Sequence, residues 1–304
     1  MPNKSKGIVV LSLFNGMSTG HTALDNVGIK VDKYYSSEIK PAAIKLTQHH
    51  YPDTIQLGDV IKWKEWDIDW KSVDMVLSGS PCQDLSVAGK RKGLDGERSG
   101  LFFVFVDILN HIKELNPNVL FLQENVASAP KKDVGIMSRA LGVYPVRINS
   151  KLVTAQLRDR YYWSNIKTAQ DGLFGDIVTD IPQPKDKKIM FDDIITDGYT
   201  KREKCQCVTE RYIGNKHKDE STENAQKFLR KRIKSVGSCP VVYLDNGMLR
   251  TLNKVEMCRL QGFPDDWCDT LPTTKAASLL GDGWTLPIIE HIFSFIGVNN
   301  AEQK

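Results

Sequence analysis

Ile8-Val9-Val10-Leu11-Ser12-Leu13-Phe14-Asn15-Gly16-Met17-Ser18-Thr19-Gly20 is a short apolar run that breaks into a polar, glycine-bearing turn. From about Thr19 to Val27 the pattern becomes helical. Strand, tight turn and helix in direct succession form the opening unit of an open α/β sheet, and the chain repeats that unit up to Glu124. Val31 to Ser36 reads as a strand ending at Glu38, and Pro41 to His50 as a helix with Pro in its first turn. Thr54 to Leu57 runs into Gly58-Asp59, Val73 to Ser78 into Gly79-Ser80-Pro81-Cys82, and Val119 to Glu124 follows a helical stretch, Leu101 to Leu115. The alternation predicts a parallel, doubly wound, Rossmann-like sheet.

The chemistry-bearing residues sit just after the strands: Asn15-Gly16, Glu38, Asp59, Cys82 and Glu124. In open α/β sheets, ligands bind beyond the carboxyl ends of the strands. The glycines of the first turn let the backbone approach a ligand, and the following helix offers free N–H groups to a carboxylate. Glu38 can accept from ribose hydroxyls and Asp59 from an adenine amino group. The turn is not G-x-G-x-x-G, so a nucleoside fits better than a dinucleotide. By itself the loop is equally a plain tight turn.

Composition sets the bounds. The chain has 304 residues, 41% hydrophobic and 26% charged, an ordinary globular balance. Its net charge of +4 is a weak pointer to nucleic acid. No apolar run is long enough to cross a membrane, and Met1 to Lys6 reads as a short tail. The 6 cysteines show no disulfide framework, which points to a reducing cytoplasm. Cys205-Gln206-Cys207 is spaced too closely for a zinc pair, and no metal is expected.

From about Asn165 to Arg250 the chain is polar and turn-rich, with 16 Lys+Arg against 13 Asp+Glu. From Gly198 to Arg250 the counts are 12 and 6. The cations gather at Lys201, Arg202 and Lys204, and at Lys227, Arg230, Lys231, Arg232 and Lys234. Phosphate contact and a solvated helix face are both open for this segment.

Most lone cysteines are small buried hydrophobes. Cys82 has company: Glu124-Asn125-Val126 at the next strand end, and Gln156-Leu157-Arg158-Asp159-Arg160, expected as a strand with Gln156, Arg158 and Arg160 on one face. A nucleophile, a carboxyl group and forked cations suit a planar ring.

These phrases, with Phe14-Asn15-Gly16 before them and Arg259-Leu260-Gln261-Gly262-Phe263-Pro264 after, resemble the DNA cytosine-5 methyltransferases nearly end to end. The core is similar to the animal de novo branch without its chromatin-reading domains, as in a stand-alone bacterial or phage enzyme. The resemblance implies a catalytic domain over 1–164 and 251–304, with a small target-recognition domain over 165–250. It implies S-adenosylmethionine as cofactor, held by Phe14, Asn15, Gly16, Met17, Ser18, Thr19, Glu38, Ile39, Asp59, Val60, Ser80 and Leu101. Asp282, Gly283 and Trp284 complete that set, with Asp282 standing where the family usually has Asn. It implies Cys82 as nucleophile at cytosine C6, Glu124 at N3, and Arg158 and Arg160 orienting Cys82, the cytosine carbonyl and nearby backbone. The partner implied is double-stranded DNA, and whether the chain pairs with itself is left open. Residues 83–100 resemble the family's active-site loop, with Val87 or Ala88 expected to fill the space a flipped base vacates. A tRNA-acting branch shares the fold but carries Cys-Phe-Thr, which is absent here.

Overall fold

The computed structural model describes residues 7–81, 100–172, 175–208, 220–236 and 240–297. The chain forms two compact units. The first comprises Met1–Ile148, Asp159–Gln183 and Ile289–Lys304, and the second Asn149–Arg158 and Pro184–Ile288.

In chain order the elements are β1 (Ile8–Leu13), α1 (Thr19–Asn26), β2 (Val31–Ser37), α2 (Pro41–His50), β3 (Ile55–Gln56), β4 (Met75–Ser78), α3 (Gly100–Leu115), β5 (Leu120–Val126), α4 (Lys131–Leu141), β6 (Val146–Asn149), β7 (Gln156–Leu157), β8 (Asp159–Ser164), β9 (Thr168–Asp171) and β10 (Asp176–Thr179). There follow β11 (Cys205–Gln206), α5 (Glu223–Val236), β12 (Val242–Tyr243), β13 (Leu249–Arg250), α6 (Lys254–Gln261), α7 (Thr273–Asp282) and α8 (Leu286–Phe293).

The main sheet has the order β3-β2-β1-β4-β5-β8-β6. Pairings from β3 through β5 are parallel, and β8 joins β5 antiparallel. The order reverses between β1 and β4, so their carboxyl ends splay apart and open the crevice where such sheets take ligands. β1 and β4 read as unbroken apolar runs because both sheet faces are covered. Val10, Leu11, Val76 and Leu77 are all 0% exposed. α3 packs its buried stripe of Phe102, Phe105, Ile108, Leu109 and Ile112 into the same core.

One expected strand is two. Gln156-Leu157 pairs with β11, Cys205 opposite Gln156, in the second unit. Residues from Arg160 pair with β5 in the first. The break falls at Arg158, so Gln156, Arg158 and Arg160 do not alternate along one face. In the second unit, α5 buries Leu229 against Val241 and Leu249. α6 opens with a complete capping box: Asn253 accepts from the Glu256 N–H, and Glu256 accepts from the Asn253 N–H.

Candidate active site

The loop after β1 holds three residues in the left-handed region: Phe14 (φ 57°), Gly16 (φ 59°) and Ser18 (φ 60°). Two of them are not glycine, so the loop is strained and must be held. Asn15 holds it from below. Its Nδ2 donates to Ser18 Oγ at 2.8 Å and Thr47 Oγ1 at 3.2 Å, and its Oδ1 accepts from the Tyr34 hydroxyl at 3.1 Å. Burial pushes that phenol far above its usual range, so it remains a donor. Met17, Ser18 and Thr19 are buried. At Gly20 a Cβ would lie 2.4 Å from Leu77 Cδ1, which is why α1 can sit tightly on β4.

Glu38 Oε2 accepts from the Gly16 N–H at 2.9 Å, joining the ends of β1 and β2. Its Oε1 accepts from the N–H groups of Ile39 and Lys40. After β3, Asp59 Oδ1 accepts from the Ile61 N–H at 3.1 Å, and Val60 is buried. Ile39 and Ile61 are 66% and 59% exposed, two apolar side chains standing in solvent past neighbouring strand ends. Leu101 is half-buried in the first turn of α3.

At the ends of β4 and β5, Ser80 is buried and Pro81 is the last described residue before the gap. Cys82, Val87, Ala88 and the rest of the expected 83–100 loop up to Ser99 lie outside the described residues. Glu124 and Arg160 come together: Arg160 Nε stands 2.7 Å from Glu124 Oε1, with the side chains 14% and 10% exposed. Antiparallel pairing of β5 with β8 delivers them, since Glu124 faces Tyr162 and Val126 faces Arg160. Gln123, inside the strand expected over Val119 to Glu124 and given no role by the sequence, donates to Ser80 Oγ at 2.9 Å.

Arg158 is 3% exposed and belongs to the second unit. It donates to the carbonyls of Gly281 at 2.9 Å and Gly283 at 2.7 Å, with a longer contact to Asp282 at 3.4 Å. It therefore caps the carboxyl end of α7 and holds the Asp282-Gly283-Trp284 turn. Gln261 reaches the same turn through the Gly283 carbonyl, and its Oε1 accepts from Thr285 Oγ1 at 2.7 Å. Asp282 is exposed and Trp284 half-buried.

The basic segment divides. Lys204 Nζ donates to the carbonyls of Lys151, Thr154 and Ile189, a structural knot. Lys227 pairs with Glu223 one turn away, and Arg230 donates to the Gly247 carbonyl. Lys231 is exposed, while the side chains of Arg232 and Lys234 lie outside the described residues. Cys205 and Cys207 form no disulfide among the described residues. Among the described residues no cluster of His, Cys, Asp and Glu is arranged to hold a metal, and no helix is long and apolar enough to cross a membrane.

With this geometry in hand, comparison with known proteins is specific. The family model for C-5 cytosine-specific DNA methylase matches residues 8–243. An orphan methyltransferase of Bacillus phage rho11s is 36% identical over 168 residues, 50% of this chain and 32% of that protein. A type II methyltransferase of Lactococcus lactis subsp. cremoris, M1.ScrFI, is 28% identical over 289 residues, 86% of this chain and 71% of that protein. The match thus spans 32% and 37% of the length of two phage relatives. Among solved structures, the Entamoeba histolytica methyltransferase EhMeth superposes with a TM-score of 0.69 at 14% identity, covering 98% of this chain and 100% of that one. The S. pombe Dnmt2 methyltransferase superposes at 0.63 and 16%, covering 97% and 100%. At such identities the likeness speaks for the fold alone.

Proposed function

The chain belongs to the C-5 cytosine-specific DNA methylase family, and from that premise we propose that it methylates C5 of a flipped-out cytosine in duplex DNA, with S-adenosylmethionine as donor and Cys82 as nucleophile. The observation that carries this reading is the Glu124–Arg160 pair, set one strand over from the β4 end that leads into Cys82.

The first-unit crevice suits the cofactor. Glu38 and Asp59 stand at adjacent strand ends as acceptors for ribose and adenine. Exposed Ile39 and Ile61 offer apolar contact to a ring that two free-standing aliphatic side chains otherwise lack. The left-handed loop from Phe14 to Ser18, with Met17, Thr19, Val60, Ser80 and Leu101 around it, supplies backbone to the remainder. Asp282, Gly283 and Trp284 remain proposed cofactor contacts on the strength of the sequence resemblance. When bound, S-adenosylmethionine supplies an electrophilic methyl group.

The protein's own residues do the rest. Cytosine C5 is a poor nucleophile. Addition of the Cys82 thiolate at C6 makes the ring enamine-like and C5 nucleophilic. Glu124 holds or protonates N3 and disperses the developing charge, and Arg160 fixes the carboxylate in place. Arg158 organises the backbone of the Gly281–Gly283 turn. Loss of the C5 proton and expulsion of Cys82 restore aromaticity. A base within a duplex is out of reach of these groups, so it must be extruded first. Segment 165–250 is proposed to grip the DNA.

The test is transfer of labelled methyl groups from S-adenosylmethionine to plasmid duplex and, in parallel, to tRNA. Label in the duplex, mapped to 5-methylcytosine by bisulfite sequencing, is the expected result. Label confined to tRNA contradicts it.

A further inference from the structure

β5 is apolar from Leu120 to Leu122 and then turns polar while still inside the protein: Gln123 is 0% exposed. Burying an amide is costly unless its hydrogen bonds are met. Gln123 Nε2 donates to the Ser80 hydroxyl at 2.9 Å and to the backbone carbonyl of Glu124 at 2.7 Å. Oε1 has no partner among the described residues. A fully buried site with an unmatched oxygen is poorly explained by stability, because an apolar side chain of the same shape would serve nearly as well. Position explains it better.

Parallel register places Gln123 opposite Ser78, the last residue of β4. Ser80 is two residues further on, and Cys82 two beyond that. On the other side, the Glu124 carbonyl belongs to the residue whose carboxylate meets Arg160.

We infer that Gln123 is a positioning residue: one buried amide ties the Gly79-Ser80-Pro81 segment that leads into Cys82 to the backbone of Glu124, keeping nucleophile and carboxylate in register. This rests on the function proposed above. Gln123 touches no substrate in this scheme and acts through Ser80 and Glu124. Errors of about 1 Å in such placements cost up to about 100-fold in rate.

The experiment uses the full chain with duplex DNA synthesised with 5-fluorocytosine in place of cytosine. Fluorine at C5 cannot leave as a proton does, so the Cys82 adduct accumulates and its rate of formation is read in a single turnover. Gln123→Met keeps volume and removes the amide; Ser80→Ala removes the other end of the tie. Each is expected to slow adduct formation about 10-fold or more. The dissociation constant for DNA in both variants, and that for S-adenosylmethionine in Gln123→Met, should stay within about twofold. The double variant should be no slower than the worse single one, the signature of one shared interaction. Unchanged rates in both single variants would overturn the inference, and so would multiplicative effects in the double. Ser80→Ala removes one oxygen and keeps the test available if Gln123→Met does not fold. If the wild type forms no adduct while remaining folded, the proposed function fails and this inference falls with it. An active wild type beside equally active variants removes only the role of Gln123.

Discussion

Replacing Glu256 with Gln tests the account of the second unit. Glu256 is 0% exposed in the first turn of α6. It accepts from Arg250 Nη1 at 2.8 Å and Nη2 at 2.7 Å, from the N–H groups of Thr196 at 2.8 Å and Asn253 at 3.0 Å, and from Thr196 Oγ1 at 3.0 Å. Five donors converge on two oxygens. In Glu256→Gln one oxygen becomes an NH2, which turns donors toward donors and leaves Arg250, among the described residues, with Asp197 as its one charged partner. Breaking a buried pair from one side costs about 3–5 kcal/mol. Asp197 recovers part of that, so about 3 kcal/mol is expected. Urea unfolding followed by tryptophan fluorescence would show it as a midpoint lowered by about 1 M or more. The pH dependence gives a second reading. Burial alone would push the Glu256 carboxyl up, but the Arg250 bonds and the N–H groups of Thr196 and Asn253 outweigh it and hold the carboxyl below the usual range. A folded-state pKa below the unfolded one stabilises above the unfolded value, about 4.3, and that stability is lost as pH falls through the folded one. The gap between wild type and variant should therefore close in acid. A loss under about 1 kcal/mol at neutral pH, the range of an exposed pair, would refute the reasoning.

Two further outcomes follow from local geometry. Glu124→Gln should lower the single-turnover methylation rate by about 100- to 10,000-fold with DNA binding retained, as filter binding beside a rapid-quench assay would show. Gly262→Ala should destabilise by about 1–3 kcal/mol in urea titration, because Gly262 has φ +78° and a Cβ there would lie 2.3 Å from Pro287 Cδ.

Much of the fold was legible because it is written in local patterns. Pro at the first turn set the start of α2 at Pro41, where the structure has it. The start of α6 is local as well, since Asn253 and Glu256, three residues apart, form its capping box. The strand ends were found because apolar runs stop at polar or glycine residues, and parallel pairing brings those stops to one edge. What escaped depended on partners distant in sequence. Nothing between Gln156 and Arg160 signals a break, because Arg158 is drawn away by carbonyls more than a hundred residues on, at 281 and 283. Gln123 carries no signal of its own, because its bond to Ser80 exists only in the register that sets Ser78 opposite it. Glu38 suggested a sugar ligand, and its bond to the Gly16 N–H needed the fold of the first turn to be known.

The proposed reaction turns on the covalent bond between Cys82 and cytosine. Its most direct test compares Cys82→Ala with wild type in methyl transfer to plasmid duplex, alongside calorimetric binding of S-adenosylmethionine. The account predicts no detectable transfer by the variant and unchanged cofactor affinity. Methylation by Cys82→Ala at close to the wild-type rate would contradict it.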